Sequence, residues 1–349
     1  MSETRTKKHS RGFIALACAF IAVFILSFIV GRYSVPFPIV VKIIWARIVE
    51  LVTFGYYTIE QTWTGQQESV VLLIRLPRIV TAALVGAALS TAGAAYQGMF
   101  RNPMVSPDLL GASTGAGFGA ALAIFLSLGY FGITVSAFCF GVCAVLLACL
   151  VSRMSRMSST LSMVLAGVMI GSVFQSLTSF IKLVADTNDQ LPAITYWLMG
   201  SLTSIKVSDM WFALIPIVIG LVPLMLLRWR INLLTISEAE ARSLGIHTGR
   251  LRFVVIVCAT LITSASVAVS GMIGWVGLVI PHFCRMMFGY DYRRIIPGCI
   301  LMGSTFLMVV DNIARVATTS EIPLGILTSF VGAPVFIYLI LTGGAAREH

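Results

Sequence analysis

FVVIVCATLITSASVAVSGMIGWVGLVIPHFC (253–284) runs without a formal charge. A membrane-crossing helix needs about 20 apolar residues at 1.5 Å of rise each. The stretch is therefore long for one crossing and short for two. The flanking charges decide. One crossing would put Arg250 and Arg252 on the opposite side from Arg285, Arg293 and Arg294. Lys and Arg gather on the cytoplasmic side of membrane proteins. Two crossings, broken near Ser270-Gly271, keep both clusters on that side.

Working outward, the other charge-free windows are 12–31, 79–100, 109–152, 157–181, 210–227, 295–310 and 322–346. Window 109–152 holds two spans, with Gly129 to Gly132 as the turn between them. The expected fold is an all-α polytopic membrane protein of ten transmembrane helices with both termini cytoplasmic. Of 24 Lys/Arg and 14 Asp/Glu, this topology places 16 and 6 inside and 8 of each outside. The whole +10 net charge is then cytoplasmic. Topology accounts for it, and no nucleic-acid partner is expected.

Composition agrees with a chain dissolved in lipid. It is 58% hydrophobic and 11% charged with a mean hydropathy of +0.95, where a soluble domain is roughly a quarter charged. The N-terminus has the charge layout of a signal peptide, with Arg5, Lys7, Lys8 and Arg11 before an apolar run. Its 12–31 run is long for a signal h-region, and no small-residue cleavage site follows, so it is read as an uncleaved first span. The seven cysteines show no CxxC spacing and read as buried thiols. No lysine follows a glycine, so there is no phosphate-binding P-loop.

Val40 to Val52 has helical spacing within an external segment, and an amphipathic stretch follows Pro192. Gly111, Gly115 and Gly119 share one helix face, as do Gly86, Ser90, Ala94 and Gly98. Small residues in such rows let backbones approach where lipid supplies no hydrophobic drive, and the bland reading as packing is preferred. GASTG (111–115) fits the nucleophile-elbow pattern, but that motif works on a strand-to-helix turn with a histidine at hand, and neither is expected here. His282 stands apart from His9, His247 and His349 and reads as structural. Asp311 and Arg315 are four apart and placed to pair. Ionisable groups near mid-membrane, the usual mark of an ion-coupled carrier, are nearly absent. Arg75 and Arg78 flank Pro77 on the outer side. They are read either as headgroup anchors or as a docking site for an acidic external partner. The longest polar interruption, RWRINLLTISEAEARSLGIHTGRLR (228–252), is cytoplasmic, and Glu238 to Leu244 reads as a short helix stopped by Gly245.

RLPRIVTAALVGAALSTAGAAYQGMFRNPMVSPDLLGASTGAG (75–117), EAEARSLGI (238–246), SGMIGWVGLVIPHFCRMMFGYDYRRIIP (270–297) and DNIARVATTSEIPLGILTSFVGAPVFIYLIL (311–341) together resemble the FecCD-type permeases. These are membrane subunits of binding-protein-dependent type II ABC importers for iron-siderophores, haem and vitamin B12. The resemblance covers about residues 12–342. It implies a single permease domain over 1–349, with 1–11 as a cytoplasmic tail and 228–252 as a coupling loop. It further implies a multi-pass inner-membrane protein with two subunits side by side, expected as a homodimer. Two ATP-binding subunits would hold the ATP and Mg, leaving no cofactor or metal in this chain. An extracytoplasmic substrate-binding protein completes the set of partners.

At the matching positions, Arg75, Arg78 and Arg315 are implied as docking residues for the binding protein. Asn102, Pro103 and Met104, with Ser159 and Thr160, are implied as cytoplasmic gates. Glu238, Ala241, Arg242, Leu244 and Gly245 are implied to couple to the ATPase. The expected cargo is a metal chelate, iron-siderophore first, with haem, cobalamin and molybdate behind. The chain itself is expected to do no chemistry. An ion-coupled secondary transporter is the alternative.

Overall fold

The computed structural model describes residues 2–54, 56, 59–155, 159–236, 240 and 248–341. Among these the regular elements are all helical. In chain order they are α1 (Ser2–Ile29), α2 (Phe37–Val52), α3 (Gly65–Phe100), α4 (Ala112–Phe125), α5 (Tyr130–Met154), α6 (Ser159–Val184), α7 (Gln190–Leu198), α8 (Val207–Leu226), α9 (Thr248–Ser270), α10 (Val276–Phe288), α11 (Tyr292–Val316) and α12 (Leu324–Leu341). Seven of them, α1, α3, α5, α6, α8, α9 and α11, are long and apolar enough to cross a membrane. Three others, α4, α10 and α12, are apolar but shorter. The break expected near Ser270-Gly271 is where α9 ends, because Gly271 takes φ +66°, a left-handed conformation that L side chains resist. The turn expected near Gly129 falls between α4 and α5, and α2 and α7 occupy the two amphipathic stretches.

α3 departs from the hydropathy reading. Its window began at residue 79, yet the helix starts at Gly65, where Thr64 and Gln67 form a capping box. It passes through a π-helical stretch at Val70–Arg75, closed by a hydrogen bond from the Leu76 amide to the Val71 carbonyl. Pro77 explains the widening. It brings no N–H, and its ring crowds the carbonyl four residues back, so the helix loosens by one residue instead of breaking.

α3 and α9 form the core of the bundle. The most apolar window of α9 is 78% buried, against 11% for α1. Both core helices are rich in small residues, and the approaches are close. A Cβ on Gly86 would lie 2.2 Å from the Gly303 carbonyl oxygen of α11. Cβ atoms on Gly115 and Gly119 would lie 2.5 Å from the Phe140 and Ser136 oxygens of α5. The glycine rows are thus packing faces.

Deep in the bundle, a single 3-10 turn meets the first turn of α10. Pro107, on the Pro107–Leu110 turn, touches Gly277 at the start of α10, and Gly277 backs onto Gly93 of α3. A Cβ on Gly93 would sit 1.8 Å from the Gly277 oxygen. Gly93→Ala must therefore move backbone, and a loss of about 1–3 kcal/mol or more is expected. Gly129→Ala, with nothing within 4 Å of the added carbon, is expected to be near neutral. Thermal unfolding of the two variants in detergent checks the contrast.

Candidate functional site

At one end of the bundle, four arginines converge from three elements. Arg75 and Arg78 come from α3, Arg315 from α11, and Arg32 from the segment after α1. Arg75 is 4% exposed, and Arg78 and Arg315 are 6% exposed each. Arg78 grips two carboxylates at once. Its Nε and Nη2 donate to Asp311 Oδ1 at 2.9 and 2.8 Å, and its Nη1 and Nη2 donate to Glu321 at 3.1 and 2.8 Å. Arg315 Nε lies 3.3 Å from Asp311 Oδ2, and its Nη2 donates to the Ser27 carbonyl and to Asn312. The i, i+4 pair expected from spacing is present, within a larger network. Arg75 donates to the Phe28 and Tyr33 carbonyls. Gly31 makes room for it, since a Cβ there would sit 2.8 Å from the guanidinium. Arg32 donates to the Thr318 carbonyl at 2.9 Å.

Four guanidinium groups thus share this rim with two carboxylates, Asp311 and Glu321. Arg75, Arg78 and Arg315 are buried struts and Arg32 is exposed. The sequence offered Arg75 and Arg78 as headgroup anchors or docking residues, and their burial had no sign in it. An acidic partner reaches Arg78 or Arg315 only by displacing an internal carboxylate. Glu321 is the more accessible of the two, with 20% of its side chain exposed against 1% for Asp311. Burial pushes the Glu321 carboxyl up. Hydrogen bonds from Arg78 and Thr203 and the charges of Arg78 and Arg32 outweigh it and hold the group below its usual value. Its contribution to stability is therefore present above about pH 4.3 and is lost as pH falls through the lower folded value. An acid titration of thermal stability should lose this step in Glu321→Gln.

The opposite end holds the expected gate. Arg101 ends α3 with φ +53°, left-handed and uncommon outside glycine. Asn102, Pro103 and Met104 follow, all exposed, and the Met104 amide donates to Asn102 Oδ1 at 2.8 Å. The left-handed turn aims Arg101 across the end of the bundle. Its Nε donates to the Leu234 carbonyl at 2.9 Å, and its Nη2 donates to the Ile236 carbonyl. From behind, Gln97 Nε2 donates to the Val105 carbonyl at 3.1 Å, and Arg285 Nη1 donates to Gln97 Oε1 at 2.6 Å. The turn is thus held from the bundle side and tethered to the 232–236 segment. Hydropathy and motif reading missed Arg101, Gln97 and Arg285. Only the positive charge of Arg101 beside Asn102-Pro103 hinted at it.

Ser159 opens α6 and Thr160 follows it at the same end. Among the described residues no hydrogen bond joins the Thr160 side chain to the Asn102–Met104 turn. Ser152 and Ser162 hydroxyls, 2.9 Å apart, tie α5 to α6 there. Glu238, Ala241, Arg242, Leu244 and Gly245 lie outside the described residues.

Inside the bundle, Ser113 donates its hydroxyl to Asp108. It sits on α4, without the strand-to-helix turn a nucleophile elbow needs. Asp108 is a carboxylate that the survey of mid-membrane charge passed over, because its place in a turn was not visible. A cleft of about 460 Å³ opens between the end of α7 and α12, lined by Met199, Met272, Ile326, Ser329 and Phe330 and by no charged group. Such a wall offers contact without strong selectivity.

The model of the FecCD transport family matches residues 18–342. The molybdate import system permease protein MolB of Haemophilus influenzae is 38% identical over 323 residues, covering 92% of this chain and 93% of that protein. A Helicobacter pylori protein described as an iron chelatin transport system permease is 40% identical over 329 residues, covering 94% and 96%. A solved metal-chelate type ABC transporter in an inward-facing conformation superposes with a TM-score of 0.84 at 34% identity, over 95% of this chain and 99% of that one.

Proposed function

The chain belongs to the FecCD transport family, and from that premise we propose that it is the permease subunit of an ABC importer driven by a separate ATPase. Its cargo is a metal chelate or a ligand of similar bulk. An iron chelate is the first choice, and haem, cobalamin and molybdate are the others. Two copies flank a path across the cell membrane, each contributing ten crossings. Arg101 to Met104 and the 228–252 segment face the cytoplasm, as do both termini. This orientation follows the excess of Lys and Arg at that end.

The observation that carries the reading is the Arg101 tether. A permease without a nucleotide site must receive the movement of its ATPase through contact. Leu234 and Ile236 lie within 228–252, the longest polar interruption of the sequence. Two charge-assisted hydrogen bonds join that segment to the turn at the end of the core helix α3. Displacing the 228–252 coupling loop then pulls on the gate directly. Glu238, Ala241, Arg242, Leu244 and Gly245 are proposed as the ATPase contact, and Asn102, Pro103, Met104, Ser159 and Thr160 as the gate.

At the other end, Arg75, Arg78 and Arg315 are proposed as the cationic floor under the docking site of an acidic binding protein, with Glu321 as its competitor. Replacing all three arginines by glutamate is a poor test, because it would bury several carboxylates together. Glu321→Gln removes the competitor and is expected to tighten docking several-fold, while Arg32→Glu weakens it. Calorimetric titration with the cognate binding protein decides. Weaker docking of Glu321→Gln counts against the floor.

An ion-coupled carrier is not favoured. Asp108 is its natural seat, yet the Ser113 hydroxyl already engages it. Asp108→Asn should leave nucleotide-driven uptake insensitive to proton or sodium gradients, as in the parent.

A further inference from the structure

On the flank of the bundle, α5 and α9 frame an apolar groove of about 280 Å³. Its walls are two helical stripes. Val142, Leu146, Cys149 and Leu150 line one side, and Phe253, Val257 and Leu261 line the other. The spacing is regular at three and four residues, so each stripe is one helix face. Leu146 is 62% exposed, and Leu150, Phe253 and Val257 are exposed with it, uncovered by any described residue. The polar atom in its floor is already used, because Thr260 Oγ1 and the Tyr96 hydroxyl are 3.3 Å apart.

One end of the groove is apolar and the other is cationic. Arg153 closes it, with its guanidinium 5.9 Å from the centroid of the Phe253 ring. Arg252 is adjacent in sequence to Phe253, and its Nε is buried with no hydrogen-bond partner among the described residues. No carboxylate of the described residues forms a salt bridge with either arginine. The run from Val142 to Arg153 rises about 16 Å. That matches the half-thickness of a bilayer's hydrocarbon core, about 15 Å. The groove is therefore one leaflet deep, with unpaired positive charge at headgroup level.

We propose that this groove is a binding site for one anionic phospholipid. The phosphate pairs with Arg153 at the groove's cationic end, and an acyl chain lies between the α5 and α9 stripes. The charge selects the headgroup, because a zwitterionic lipid brings its own cation to the arginines. A second copy of the chain would fill the apolar length but leave the guanidinium groups unpaired. The leaflet is the inner one if the orientation proposed above holds, but binding does not depend on that orientation. A bound lipid would brace α9, a core helix whose first turn closes the 228–252 segment.

The test uses full-length protein, delipidated in detergent and titrated with phosphatidylglycerol or phosphatidylcholine, with adducts counted by native mass spectrometry. Arg153→Glu and Leu146→Trp are the variants, and both positions are exposed, so the fold should tolerate them. One phosphatidylglycerol adduct is expected to outlast phosphatidylcholine adducts under collision. Arg153→Glu should weaken it roughly tenfold, and Leu146→Trp should abolish it by filling the groove. Equal retention of the two lipids overturns the proposal, as does a phosphatidylglycerol adduct that neither variant weakens. Loss of a dimer in Leu146→Trp without loss of lipid makes the groove an interface between copies, which also overturns it.

Discussion

Asp311→Asn is expected to lower the stability of the folded chain by about 3–5 kcal/mol, the usual effect of removing one partner from a buried ion pair. Asp311 is 1% exposed and receives Arg78 and Arg315 together. Without its charge, Arg315 has no carboxylate partner among the described residues and Arg78 keeps only Glu321, in a site where little water can compensate. Glu321→Gln makes the comparison. Its side chain is 20% exposed, so water replaces part of what is lost, and a change nearer 1 kcal/mol is expected. Thermal unfolding in detergent measures both. Equal, small effects would mean that the rim is more open than the structure has it.

Arg101→Ala is expected to separate hydrolysis from transport. The substitution removes two hydrogen bonds from a charged donor to the Leu234 and Ile236 carbonyls. Each such bond is worth about 1.5–3 kcal/mol, so coupling should fall tenfold or more. In the assembled complex, ATPase activity stimulated by loaded binding protein should persist while uptake per ATP drops. Arg101→Lys should recover part of it, because one donor can still reach a carbonyl. Parallel loss of both activities would make the tether a support for assembly only.

The sequence read well wherever a feature was local. The break after Ser270, the turn before Tyr130, the amphipathic helices Phe37–Val52 and Gln190–Leu198 and the glycine rows all rest on residues within a few positions of one another. Hydropathy failed at the start of the core helix Gly65–Phe100. There Glu68, Arg75 and Arg78 look like the end of a membrane segment. The helix continues through them because Phe28, Tyr33, Asp311 and Glu321 satisfy the arginines from other parts of the chain.

The site was legible as positions but not as partners. Arg75, Arg78 and Arg315 were singled out, yet their burial depends on contacts between elements distant in sequence. Arg78 meets residues 233 and 243 positions away, and Arg101 meets carbonyls 133 and 135 positions away. Backbone carbonyls carry no signature in a sequence. Asp108 escaped for a related reason, since a turn inside a bundle has no hydropathy signal of its own.

The central claim is that this chain moves its cargo only when a separate ATPase drives it. Uptake of an iron chelate into proteoliposomes tests it most directly, with binding protein outside and ATP inside, with and without the ATPase subunit. The account predicts uptake that requires the ATPase and hydrolysable ATP and that ignores imposed proton or sodium gradients. Uptake by the permease alone, driven by such a gradient, would contradict it.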